Sequence, residues 1–205
     1  MRLEAENLAG ERGGETVFAG LSFALSAGEA LVVTGPNGSG KSTLLRIVAG
    51  LLAPESGRVT LTERGAALPV AAASHYLGHQ NAMKPGLSVR ENLAFWRDFN
   101  GAARLDVDAA LEAVDLPGVD HIPFGYLSTG QRRRVSIAKL LVSHRPLWIV
   151  DEPTAGLDKA SEARFAGLMR AHIGEGGMVV AATHIPLGLD DGKTLDMDAY
   201  SLEAF

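Results

Sequence analysis

Gly35-Pro36-Asn37-Gly38-Ser39-Gly40-Lys41-Ser42-Thr43 is the stretch on which the reading of this chain turns. It fits Gly-x4-Gly-Lys-Ser/Thr, the pattern of a phosphate-binding P-loop. The residues before it, Ala30 to Thr34, form a short Val-rich apolar run suited to a buried strand. Those after it, Lys41 to Ala49, show helical apolar spacing at Leu44, Leu45, Ile47 and Val48, and Gly50 follows as a stop. The loop is therefore expected between a strand and a helix N-terminus. Gly35, Gly38 and Gly40 let the backbone turn its N–H groups inward, and the helix dipole adds positive potential. Pro36, Asn37, Ser39 and Thr43 complete the cradle. Lys41 would reach the β- and γ-phosphates and Ser42 would offer a hydroxyl to Mg²⁺. This combination predicts nucleotide binding.

Composition narrows the remaining classes. The chain has 205 residues, 46% hydrophobic and 21% charged, with a net charge of −5. That length supports one sizeable core with a subdomain. The acidic balance argues against nucleic acid as a partner. The chain has no cysteine, which excludes disulfides, thiolate metal sites and thiol nucleophiles. The first residues, Met1 to Glu6, lack the apolar region of a signal peptide, and no apolar run approaches a membrane span. A cytoplasmic chain is expected, with any membrane role supplied by a partner.

Strands are expected over 2–8, 17–25, 30–34, 58–61 and 75–78, with Ala66–Ala73 a small low-complexity stretch. From about residue 85 to 145 the pattern becomes helical. Ser88-Val89-Arg90-Glu91 is a capping box, Asp106 opens a second helix, and a third runs from about Ser128 to Ser143. Alternation of strand and helix then returns: Leu147–Val150, Asp158–Ile173, Met178–Thr183 and a tail strand from Lys193. The fold class read from this is α/β, a P-loop nucleotide-binding core over 1–84 and 146–205 with a mostly parallel sheet and N-terminal antiparallel strands. A helical subdomain over 85–145 interrupts it.

Leu147-Trp148-Ile149-Val150-Asp151-Glu152 is an apolar strand ending in two acids. Asp151 can hold Mg²⁺ through its water shell, and Glu152 is placed to orient or deprotonate an attacking water. Leu127-Ser128-Thr129-Gly130-Gln131 offers a Ser hydroxyl, a Gly N–H and a helix dipole, a second phosphate-binding helix start. Arg132-Arg133-Arg134 reads as a solvated or structural helix face rather than a nucleic-acid patch.

This ordered series resembles the ATP-binding-cassette ATPases, whose signature is Leu-Ser-Gly-Gly-Gln. The resemblance covers nearly the whole chain. It implies that Gln80 is the Q-loop glutamine that senses Mg²⁺ and water. Gly156-Leu157-Asp158 is similar to the D-loop, and His184 to the switch histidine on the γ-phosphate. It also implies a head-to-tail homodimer with two ATPs. One chain would supply Gly35–Thr43, Gln80, Asp151, Glu152 and His184, and the other Ser128, Gly130 and Gln131. Two positions depart from the pattern. Thr129 replaces the commoner Gly of the signature. No aromatic stands where adenine is usually stacked, so Arg12 is the expected platform, with Phe18 as a core alternative.

Leu77-Gly78-His79-Gln80, followed by Glu91-Asn92-Leu93 in so short a cassette, resembles the ATP-binding subunits of cytochrome c maturation systems. That implies haem export or handling, integral-membrane partners, and a peripheral position on the cytoplasmic face of the membrane. Met83, Pro85, Leu87 and the apolar face of the 88–99 helix either form the docking surface for such a partner or pack the helical subdomain. The alternatives are another small transporter of this kind or a soluble ATPase for iron–sulfur assembly. Translation and DNA-repair cassettes usually carry two cassettes or a coiled-coil insertion, absent here. A small-molecule kinase needs no signature.

Overall fold

The computed structural model describes residues 1–183, 187–189 and 192–200. Two sheets sandwich the helix that follows the P-loop. The first is antiparallel, in the order β2-β1-β4-β5, from β1 (Arg2–Arg12), β2 (Glu15–Ser26), β4 (Ser56–Glu63) and β5 (Ala66–Leu68). The second is parallel, in the order β6-β7-β8-β3-β9. Its strands are β3 (Ala30–Thr34), β6 (Ser74–Leu77), β7 (Leu147–Asp151), β8 (Met178–Ala182) and β9 (Lys193–Asp196).

The parallel sheet is covered on both faces, so its central strands are apolar throughout. All of β7 and β8 is buried. Alternation sorts their side chains between two cores. Leu147 and Ile149, with Met178 and Val180, face α1 (Lys41–Val48) and the antiparallel sheet. Trp148 and Val150, with Val179 and Ala181, join the core shared with the helical region. That region comprises α3 (Val89–Asn100), α4 (Val107–Ala113) and α5 (Thr129–Leu141). A short α2 (Val70–Ala73) precedes β6, and α6 (Lys159–Gly174) precedes β8.

The expected helix starts are realised chemically. Ser88 and Ser128 both form complete capping boxes, with Glu91 and Gln131. Asp106 and Asp158 accept from Ala109 N and Ser161 N at 2.8 Å. The Ala66–Ala73 stretch folds as β5 and α2, which its alanine-rich composition did not announce. No described helix is long and apolar enough to cross a membrane.

Candidate functional site

The C-terminal ends of β3 and β7 lie at the same end of the parallel sheet, where open α/β sheets bind ligands. From β3 the chain enters the P-loop and closes into α1. Gly40 caps that helix at φ 88°, and Gly35 stands at φ 131°, conformations that cost an L side chain dearly. Space forbids one as well. A Cβ on Gly40 would fall 2.9 Å from Phe18 Cδ1, and one on Gly35 would fall 2.9 Å from Ser39 Oγ. The Lys41 ammonium is folded inward, donating to the Gly35 carbonyl at 2.7 Å and the Pro36 carbonyl at 2.8 Å. It is thus already held against the backbone of the loop.

The cleft, of about 190 Å³, is walled by Asn37, Gly38, Gly40, Lys41, Ser42 and Thr43, by Asp151 and Glu152, and by Arg12 and His79. Asp151 is buried, and its Oδ2 has no hydrogen-bond partner. An orphaned buried carboxylate oxygen in the same cleft as the Ser42 side chain offers hard oxygen donors, the chemistry that suits Mg²⁺. Glu152 is held in the left-handed region at φ 43°, a strained state for a residue with a side chain. Its N–H donates to the Ala182 carbonyl at 2.9 Å, so β8 fixes the turn that aims it.

Arg133 is what holds that turn from behind. It is buried on α5, and its nitrogens donate to the carbonyls of Pro153 at 2.8 Å, Asp151 at 3.1 Å and Glu152 at 2.7 Å. Another donates to the Gly78 carbonyl at 2.7 Å. Burial pulls the guanidinium pKa down, and the Asp151 and Glu152 carboxylates oppose that. The triplet's other members are also structural: Arg132 bonds the Gly125 carbonyl and Arg134 the Asp115 carbonyl.

Most of the expected site residues meet in this cleft; several do not. Gln80 is exposed and outside the wall; His79 stands there instead. Phe18 is fully buried core, leaving Arg12 as the side chain available to a base. Gly35, Pro36 and Ser39 do not line the cleft: Pro36 is exposed, and Ser39 is buried with an unpartnered Oγ. Ser128, Gly130 and Gln131 lie outside the cleft. Ser128 Oγ accepts from Gln131 N at 3.2 Å, and Gln131 Oε1 accepts from Ser128 N at 2.9 Å. Thr129 is the first residue of α5, a position that tolerates β-branching, and a Cβ on Gly156 would lie 3.4 Å from its Cγ2. His184 lies outside the described residues. Sequence reasoning missed Arg133 and His79. Arg133 was masked by two like neighbours, and His79 by the adjacent Gln80.

A second, apolar groove of about 530 Å³ lies between the loop after β6 and α3, lined by Met83, Leu87, Phe95 and Trp96 among others. Asn92 knits its floor, its Nδ2 donating to the carbonyls of Lys84 and Ser88 at 3.0 Å. Trp96 Nε1 donates to the Ala82 carbonyl at 2.8 Å.

The ABC transporter family model matches residues 18–155. The "Cytochrome c biogenesis ATP-binding export protein CcmA" of Brucella abortus (strain 2308) is 73% identical over 212 aligned positions, covering 99% of each chain. Its namesake from Mesorhizobium japonicum is 71% identical, covering 94% of this chain and 96% of the relative. Among solved structures, a putative ABC transporter ATP-binding protein from Pyrococcus furiosus superposes with a TM-score of 0.84 at 23% identity, over 98% of this chain and 100% of its own. A dimeric, post-hydrolysis ATP-binding cassette bound to ADP and Pi gives 0.81 at 22%, over 95% and 93%. These two likenesses are of fold.

Proposed function

We infer that this chain, which belongs to the ABC transporter family, is the ATP-hydrolysing subunit of a cytochrome c biogenesis exporter, the system named in its relatives. The observation that carries the ATPase reading is the meeting of Lys41, Ser42, Asp151 and Glu152 in one cleft. The P-loop N–H groups receive the β- and γ-phosphates, and Lys41 exchanges its two carbonyl partners for phosphate oxygens. Ser42 and Asp151 are the residues that would hold Mg²⁺, which when bound offsets the charge developing on the phosphates. Glu152 aligns a water on the γ-phosphorus and takes its proton. The new P–O bond forms as the bond to the β–γ bridging oxygen breaks, giving ADP and phosphate.

The site is incomplete alone. Ser128, Gly130 and Gln131 are spent on no group in the cleft, and the capped start of α5 is exposed at Ser128 and Thr129. A second copy set head to tail would bring that helix start against the γ-phosphate, closing a symmetric dimer around two nucleotides. Loss of the γ-phosphate removes what the partner helix grips, so the ATP and ADP states favour closed and open dimers respectively.

The work is delivered to integral-membrane subunits, which would hold the chain at the cytoplasmic face. The apolar groove between the loop after β6 and α3 is the docking surface for a segment of such a subunit. Phe95, which lines it, is 57% exposed and stacks at 5.7 Å on Phe99, 71% exposed, so the groove continues into an exposed aromatic pair. The core over 1–84 and 146–205 would carry the chemistry and the helical part over 85–145 the contacts.

The test is a pull-down of tagged Glu152→Gln protein from detergent-solubilised native membranes with ATP. Recovery of the membrane subunits of a cytochrome c maturation system is the expected result. Another permease would keep the ATPase reading and remove the haem assignment; soluble proteins alone would favour an assembly factor.

A further inference from the structure

We propose that Tyr76, on β6, is a positioning residue for the metal site: its hydroxyl, set between Arg46 and Asp151, holds the Asp151 carboxylate toward the cation. The inference rests on the ATP-site reading above, in which Ser42 and Asp151 hold Mg²⁺, and adds what stands behind that pair.

Strand register brings the two side chains together. β6 runs parallel to β7 with Tyr76 beside Ile149 and Leu77 beside Val150, so one step further Gly78 falls beside Asp151. Alternation turns residues 76 and 78 of one strand, and 149 and 151 of the other, to the same face. That face is the one under α1: Ile149 belongs to its core, and Tyr76 packs against it. Gly78 has no side chain to fill its place beside Asp151, and the Tyr76 ring takes that place. A Cβ on Gly78 would lie 2.7 Å from Tyr76 Cε1 and 3.2 Å from the hydroxyl oxygen. The ring therefore leans along the strand, with its hydroxyl toward the end where Asp151 stands.

α1 closes the arrangement from the other side. Ser42 and Arg46 are four residues apart on one face of that helix. Ser42 meets Asp151 in the phosphate cleft, and one turn along Arg46 reaches the Tyr76 hydroxyl. The phenol accepts from the guanidinium and turns its own O–H to the carboxylate. Burial and the Asp151 charge push the phenol pKa up while Arg46 opposes them, so the group stays a donor. Cation, phenol and carboxylate in that order polarise one another in the same sense. Asp151 Oδ2 keeps no hydrogen-bond partner among the described residues and is the oxygen left for the metal. Partners of this kind, one step behind a ligand, fix its orientation and its affinity for the ion.

The readout is the affinity of the full chain for a non-hydrolysable ATP analogue, measured by titration calorimetry with Mg²⁺ and again with EDTA. By linkage, the ratio of the two affinities reports how tightly the nucleotide complex holds the ion. Tyr76→Phe keeps the ring against Gly78 and removes the hydroxyl. The ratio should fall on the order of tenfold, with the affinity in EDTA held within about twofold. Arg46→Met, at an exposed side chain, should lower the ratio in the same direction by less. An unchanged ratio in Tyr76→Phe overturns the assignment, and so does an equal fall in both affinities, the mark of a merely structural ring. Should Tyr76→Phe not fold, an unchanged ratio in Arg46→Met overturns it instead. Failure of the unmodified chain to bind the analogue at all overturns the ATP-site reading as well.

Discussion

The Arg133 guanidinium donates to the Glu152 carbonyl at 2.7 Å from behind a residue that stands at φ 43°. The helix capped by Ser128 thus holds the backbone of Glu152, the residue proposed to align water. Four carbonyls converge on that one side chain, from Gly78, Asp151, Glu152 and Pro153. A fork of fixed N–H directions can serve them; a single ammonium cannot.

Arg133→Lys should therefore keep the charge and lose most of these bonds. The expected cost is about 5 kcal/mol of unfolding free energy, since hydrogen bonds from a charged donor are each worth about 1.5–3 kcal/mol and about three of the four are lost. ATP turnover should fall with it, because Glu152 loses its support. Denaturant unfolding and steady-state ATPase assays check the two effects. Wild-type values in both would remove Arg133 from this role.

Lys41→Ala should weaken ATP binding itself. The ammonium is the cation held over the P-loop, by the carbonyls of Gly35 and Pro36. Its removal takes away a tie on the loop and the proposed phosphate contact, and affinity should drop by on the order of tenfold or more. Calorimetric titration with an ATP analogue measures it. Unchanged affinity would count against the P-loop assignment.

Two buried histidines set the acid limit of stability. Burial lowers His75 to about 3 and His172 to about 4, against hydrogen bonds to the carbonyls of Ser143 and Pro146 that raise them. Their unfolded value is about 6.5, so between that pH and the folded values the unfolded chain binds the extra protons. Stability should fall as pH drops below about 6.5, by about 1.4 kcal/mol per unit for each histidine. His172 stacks on Trp148 at 4.1 Å. His172→Phe keeps a ring there and should flatten the decline by about one proton. Urea midpoints from pH 7.5 to 5 give the slope; an unchanged slope would place the acid sensitivity elsewhere.

Phe95→Asp combined with Phe99→Asp puts charge on the exposed aromatic rim of the groove. Recovery of membrane subunits in the pull-down should fall by on the order of tenfold, as for a lost apolar anchor. The melting temperature should stay put, because the rings are largely solvated. Wild-type recovery would move the docking surface off this face.

The chemistry most tied to local sequence was the most legible. The P-loop needs glycines and a lysine at fixed offsets, β7 is apolar to its last residue before the acids, and Ser88, Ser128, Asp106 and Asp158 cap helices by short-range hydrogen bonds. Each of these is written within a few residues. What depends on tertiary contact was not. Arg133 looks like its neighbours in sequence and differs only in pointing inward. Gln80 and His79 are adjacent and both exposed, and which of them lines the cleft is set by the path of the loop after β6. The strand and helix of Ala66–Ala73 owe their form to β4 and β6 rather than to their own alanines. The switch position at His184 lies outside the described residues.

The most direct test of the whole account is the Glu152→Gln variant, followed by light scattering with ATP and by phosphate release. The account predicts negligible hydrolysis with ATP binding retained, and a dimer that forms with ATP and disperses with ADP. Hydrolysis at the wild-type rate would contradict the role of Glu152 and, with it, the mechanism built on this cleft.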